Sequence, residues 1–123
     1  MAKLGMDPVR VENHALPGTP DVNFIEGWVE LKHADSWPVR GGPLRLGHPP
    51  TPEQKVWLAR RWHVGGNCGL VLRVGREWFL FRGCDVRSLW AGHPLRSDLE
   101  AAAVVHTTNP RELAERLKNV REA

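Results

Sequence analysis

Two short runs, Asp21 to Ile25 and Trp28 to His33, flank Glu26-Gly27, and their side chains alternate between polar and apolar with a period of two. That pattern predicts a β-hairpin. With Glu26 and Gly27 as the loop, Ile25 pairs with Trp28, Asn23 with Glu30 and Asp21 with Lys32. Opposed residues share a face of the ribbon. Asp21, Asn23, Glu30 and Lys32 then stand on one face, and Val22, Phe24, Val29 and Leu31 form an apolar face for the core. A one-residue slip would mix the two sets, so the pattern selects its own register.

The polar face carries chemistry. Two carboxylates close together on a strand repel each other, and a bound divalent cation removes that repulsion. Mg²⁺ takes oxygen ligands, keeps several waters and typically binds one or two carboxylates together with substrate phosphate. The Leu31 carbonyl can supply a further oxygen. Lys32 is placed to stabilise charge on a phosphate or to position an attacking water. This is the minimum apparatus for metal-assisted phosphodiester hydrolysis.

The rest of the chain reads as alternating elements. Asp7-Pro8 predicts the start of a short helix, ended by Leu16-Pro17-Gly18. The Pro/Gly-rich stretch from His33 to Pro52 predicts a long loop, and Thr51-Pro52-Glu53 opens a helix to about His63. Strands follow at Gly69 to Val74 and Trp78 to Arg82, joined by a tight turn at Gly75-Arg76. Asp85 to Trp90 predicts a short helix, Ala102 to Thr107 a strand, and Asn109-Pro110 a final helix through Leu117. The expected class is α/β, a central mixed sheet flanked by helices. With 123 residues there is room for one domain.

Composition narrows the function classes. No apolar run is long enough to span a bilayer, and the N-terminus has no signal-peptide pattern. The expectation is a cytoplasmic protein (the host cytoplasm for a viral gene) with no membrane partner. A net charge of +3 permits nucleic-acid binding without establishing it. The two cysteines, Cys68 and Cys84, read as free thiols. None of the six histidines is paired at zinc-ligand spacing, and neither cysteine has the partners of a nucleophile. Arg40 and Arg45 in the loop, with Lys55, Arg60 and Arg61 on the following helix, can contact backbone phosphates or form a solvated basic face. Trp37 can wedge into a distorted duplex or pack locally.

Pro20-Asp21, eight intervening residues and then Glu30-Leu31-Lys32 resembles the PD-(D/E)xK nuclease signature. Arg10-Val11-Glu12-Asn13, Pro17-Gly18-Thr19-Pro20-Asp21 and Gly27-Trp28-Val29-Glu30-Leu31-Lys32 are similar to stand-alone VRR-NUC nucleases of phages and bacteria, many of which look like Holliday-junction resolvases. The resemblance covers about residues 9–82 and leaves 83–123 as an extension. It implies a restriction-endonuclease-like core. Asp21, Glu30 and Lys32 would be catalytic, with Glu12, Asp21, Glu30 and Leu31 holding Mg²⁺ or Mn²⁺ and Gln54 in support. DNA, branched or duplex, is the implied partner, with selectivity for branched DNA the implied activity. A nicking or general recombination and repair nuclease is the nearest alternative, and a catalytically inactive DNA-binding module on the same fold is a more distant one. Cutting two strands needs two sites, so a homodimer is expected. Leu89, Trp90, Val104, Val105 and Leu117 of the extension can cover its interface or finish the monomer core.

Overall fold

The two longest helices among the described residues begin where a polar side chain receives a free N–H group of the first turn. Thr51 does so for α1 (Pro52–His63): its hydroxyl accepts from Gln54 N at 3.1 Å, and Gln54 Oε1 accepts from Thr51 N at 2.9 Å. Asn109 does the same for α4 (Pro110–Leu117), accepting from Arg111 N at 3.0 Å. Both helices carry proline at their start, where its missing N–H costs nothing.

The computed structural model describes residues 8–10, 22–24 and 27–123, with side chains over 27–123. The strands are β1 (Pro8–Arg10), β2 (Val22–Phe24), β3 (Gly27–Ala34), β4 (Cys68–Val74), β5 (Glu77–Arg82) and β6 (Val105–Thr107). Between β5 and β6 lie α2 (Val86–Leu89) and α3 (Arg96–Ala102). Among the described residues the strands form one sheet in chain order. Only β3 and β4 run parallel, connected by loop 35–51 and α1; the other neighbours are antiparallel. The protein is therefore α/β, with a mixed sheet flanked by helices.

Alternation along the strands feeds two cores. Leu70, Leu72, Val74, Phe79 and Phe81 pack with Leu58 of α1, Val86, Trp90, Leu99 and the loop residues Leu44 and Leu46. Val29, Val71, Leu80 and Val105 pack on the other face with Leu113, Ala114 and Leu117 of α4 and with Val120. Residues 83–123 thus close both layers. Trp90, Val105 and Leu117 are buried, and Leu89 and Val104 pack against the same clusters. The apolar residues of the extension finish the monomer core and are not left over for a dimer interface.

The structure corrects the sequence reading at three places. Pro8–Arg10 is a strand paired with β2, not the start of a helix. Proline at the first position of an edge strand gives up no needed ladder bond, so Asp-Pro suits either element. The β2–β3 register is shifted by two: Phe24 faces Gly27, Asn23 faces Trp28 and Val22 faces Val29. The cause is Gly27, whose backbone lies flush against Asn67; a Cβ there would sit 2.0 Å from Asn67 O, while Trp28 N donates to that oxygen at 3.0 Å. Gly27 therefore belongs to the strand and not to the turn. Helix α1 packs over the face bearing Glu30 and Lys32, with Trp28 and Trp57 in edge contact at 5.9 Å. Third, Ala102 ends α3, whose first turn is held by Asp98 Oδ2 accepting from Leu95 N at 3.0 Å, and only Val105–Thr107 of the expected 102–107 run is strand.

The remaining turn expectation holds. Gly75 adopts φ 59° at the β4–β5 turn, a conformation that favours glycine. Cys68 and Cys84 are free thiols, and burial pushes Cys68 up to about 11.

Candidate functional site

Glu30 and Lys32 are two residues apart on β3, so both side chains emerge on the α1 side, above Leu70 and Leu72 of β4. Helix α1 brings Gln54 over them, because the capping box fixes Gln54 in the first turn. Its amide works at both ends: Oε1 closes the box on Thr51, and Nε2 donates to Glu30 Oε1 at 2.8 Å. Lys32 Nζ lies 3.1 Å from the same Glu30 oxygen. Glu30 is 0% exposed and the Lys32 side chain 8%.

A carboxylate removed from water this completely is costly unless charge and hydrogen bonds compensate it. The Lys32 ammonium and the Gln54 amide supply that compensation. Two apolar residues of similar volume would fill the same space at no such cost. The pair therefore asks for a role beyond packing. It borders an open cleft of about 920 Å³, whose walls are Lys32 and Gln54 on one side and Gly47, His48, Pro49 and Pro50 on the other. Leu31 and His33 also line it.

The loop wall is anchored from a distance. Trp37 Nε1 donates to Glu77 Oε2 at 2.5 Å, while Arg96 Nη2 and His106 Nε2 reach Oε1 at 3.1 and 2.8 Å. The Arg96 guanidinium lies over the Trp37 ring at 4.5 Å, and Trp37 meets Phe79 edge-on at 5.7 Å. Burial alone would raise the Glu77 carboxyl, but hydrogen bonds from Trp37 and His106 and the Arg96 charge outweigh it and hold the group below its ordinary range. Trp37 is thus committed to local packing. Leu44 N donates to Pro94 O at 2.8 Å and fixes the middle of the same loop.

Of the residues singled out in the sequence, Leu31, Lys32 and Gln54 line this cleft, and Glu30 is bonded to the last two from its buried position. Glu12 and Asp21 lie outside the described residues. Arg40, Arg45, Arg60 and Arg61 are exposed. Arg60 and Arg61 border a separate groove along α1 with Val56 and Trp57. Lys55 does not join them: its Nζ donates to Trp90 O at 2.9 Å, tying α1 to the end of α2. Sequence reasoning missed the His48–Pro50 wall and the Glu77 anchor. A single glutamate and a prolyl loop carry no local signal for either role.

The Glu30 carboxylate is an oxygen donor of the kind a hard divalent cation takes. Among the described residues no carboxylate lines the cleft itself, Glu30 lying buried behind Lys32 and Gln54, and no group of three or more His, Cys, Asp or Glu that could hold a metal is present. Among the described residues no helix is long and apolar enough to cross a membrane. Compared with known proteins, the chain matches no family model, no curated protein and no solved structure.

Proposed function

We propose that this chain is a metal-dependent DNA endonuclease of the PD-(D/E)xK type with a restriction-endonuclease-like core. The observation that carries the reading is Glu30, wholly buried and bonded at one oxygen to both Lys32 and Gln54, which line an open cleft. These are the Glu and Lys of the Glu-Leu-Lys motif and the helix-borne Gln that the resemblance implies, brought together from residues 30, 32 and 54 by tertiary packing. In this reading Asp21, Glu30, Glu12 and the Leu31 carbonyl hold Mg²⁺, or Mn²⁺ in its place, which when bound supplies charge neutralisation at the phosphate and a water of lowered pKa. Gln54 keeps the Glu30 carboxylate in one orientation. Lys32, held by Glu30, presents a fixed positive charge toward the cleft and stabilises the negative charge that builds on the phosphate oxygens.

The candidate basic residues are spread over the loop and α1 rather than gathered on one recognition helix, so contacts fall mainly on phosphates, which position without specifying sequence. Arg40, Arg45, Arg60 and Arg61 are available for this; Lys55 is the weakest member of the set because Trp90 O already holds it. A protein that reads phosphate geometry discriminates by shape. We therefore favour branched DNA, a four-way junction above all, cut by a two-fold dimer that offers two clefts. That dimer has to form through surfaces other than the buried extension residues.

The test is cleavage of labelled junction and linear duplex of the same sequence in competition, with Mg²⁺ against EDTA. Metal-dependent cutting lost in Asp21→Ala and Glu30→Ala supports the assignment. Wild-type rates in either variant would overturn it. Equal rates on both DNAs would remove the junction preference and leave a general or nicking nuclease. Binding without any cutting would identify a DNA-binding module.

A further inference from the structure

A second cleft, of about 410 Å³, opens at the β4–β5 turn and is lined by Arg73, Arg76, Trp78, Thr108 and Pro110. The sheet register explains why these residues meet. Arg73 is opposite His33 on β3 and opposite Trp78 on β5, so His33, Arg73 and Trp78 form one row across three strands. That row is on the α4 side, the reverse of the Glu30 and Lys32 face, and stands one residue beyond Lys32 toward the carboxyl ends of β3 and β4. In open α/β sheets this end is where ligands collect.

The chemistry of the row is unusual for its place. Every other residue of β4 is buried, and Arg73 is exposed. Its Nε donates to Gly75 O at 2.9 Å and its guanidinium stands 5.6 Å from the centre of the Trp78 ring, so the cation is held in position. Among the described residues neither Arg73 nor Arg76 is in an ion pair with a carboxylate. The nearby Glu112 carboxylate is engaged by Thr107 Oγ1 at 2.8 Å. Helix α4 begins at the rim with Glu112 in its first turn, whose charge offsets the positive end of the helix dipole and leaves the two guanidinium groups as the cations of the groove. Two cations and an aromatic ring around an open groove match a phosphate with a sugar or base beside it.

We propose that this groove is an accessory DNA site that takes the backbone of the strand leading away from the catalytic cleft around the end of the sheet. The proposal rests on the nuclease reading, but it has its own readout. Binding is measured by fluorescence anisotropy with Ca²⁺ in place of Mg²⁺, for wild type and the double variant Arg73→Gln/Arg76→Gln. Two DNAs are compared: one with long arms and one whose arms stop near the catalytic cleft. A urea midpoint equal to wild type verifies that the variant folds.

On long arms the variant should bind roughly tenfold more weakly, as expected for lost charge-assisted contacts. Its slope of log K against log salt should fall by between about 1 and 2. On short arms it should match wild type. Equal affinity and equal slope on long arms, with wild-type cleavage intact, would overturn the groove and leave the nuclease reading standing. Arginine-dependent binding by a wild type that cuts nothing would keep the groove and remove the nuclease. Wild-type protein that binds neither DNA would overturn both.

Discussion

Replacing Lys32 by methionine keeps the length of the side chain and removes its charge from beside a wholly buried carboxylate. At 3.1 Å the attraction between Lys32 Nζ and Glu30 Oε1 is about 5 kcal/mol for an effective dielectric of about 20. Desolvation of both groups offsets most of that, so the intact pair adds little net stability. Breaking it is another matter: loss of one partner of a buried pair costs about 3 to 5 kcal/mol. Because the Gln54 amide still donates to Glu30, Lys32→Met should sit near the low end, about 3 kcal/mol. Glu30→Gln, which leaves the ammonium 8% exposed beside a neutral amide, should cost about 2 kcal/mol. The double variant Glu30→Gln/Lys32→Met should return to within about 1 kcal/mol of wild type, since neither charge is then buried.

Equilibrium urea unfolding followed by tryptophan fluorescence, in EDTA so that no cation substitutes for Lys32, measures all four corners of this cycle. The expected coupling is about 4 to 5 kcal/mol, far above the roughly 0.5 kcal/mol within which independent sites add. Additive costs would refute the argument, because they would mean that the two charges do not depend on each other in the folded protein. All three variants should be inactive on DNA. A folded, stable and inactive double variant would indicate that the pair is kept for chemistry at no gain in stability.

Gln54→Ala removes half of the capping box and the Glu30 bond together; it should destabilise by about 2 kcal/mol and slow cleavage by roughly one to two orders of magnitude, read by urea unfolding and single-turnover kinetics. Glu77 has a folded-state pKa held below 4.5, so its contribution is fully present above that value and is lost as pH falls through the lower folded value. Wild-type stability should therefore drop more steeply below pH 4.5 than that of Glu77→Gln, in a thermal-unfolding series from pH 7 to 3. Gly27→Ala should destabilise by about 3 kcal/mol or more, since its Cβ would meet Asn67 O at 2.0 Å and neither backbone can retreat without breaking the Trp28–Asn67 bond; an unchanged urea midpoint would refute that fit.

Some of this molecule is decided by neighbours in the chain. Thr51-Pro52 and Asn109-Pro110 start helices because the groups they satisfy are two or three residues away, and Gly75 turns β4 into β5 by its own φ. The common face of Glu30 and Lys32 follows from the period of a strand and survives a two-residue error in register, since an even slip preserves which side each residue takes. The register itself was beyond local reading. It depends on Gly27 lying against Asn67, forty positions later, a close approach that hydrophobic patterning does not encode. Similarly, Lys55 looks like one more surface cation until Trp90 O is found within 2.9 Å, and the apolar run of the extension suits an interface or a core until α4 closes over Val29 and Val71. Burial of Glu30 under α1 belongs to the same class. Sequence alone placed a carboxylate, a lysine and a glutamine on elements of known type. Only the packing of helix on sheet brings Gln54 and Lys32 onto one oxygen, because hydrogen-bond distance between residues 24 apart is a property of the folded chain and not of any window along it.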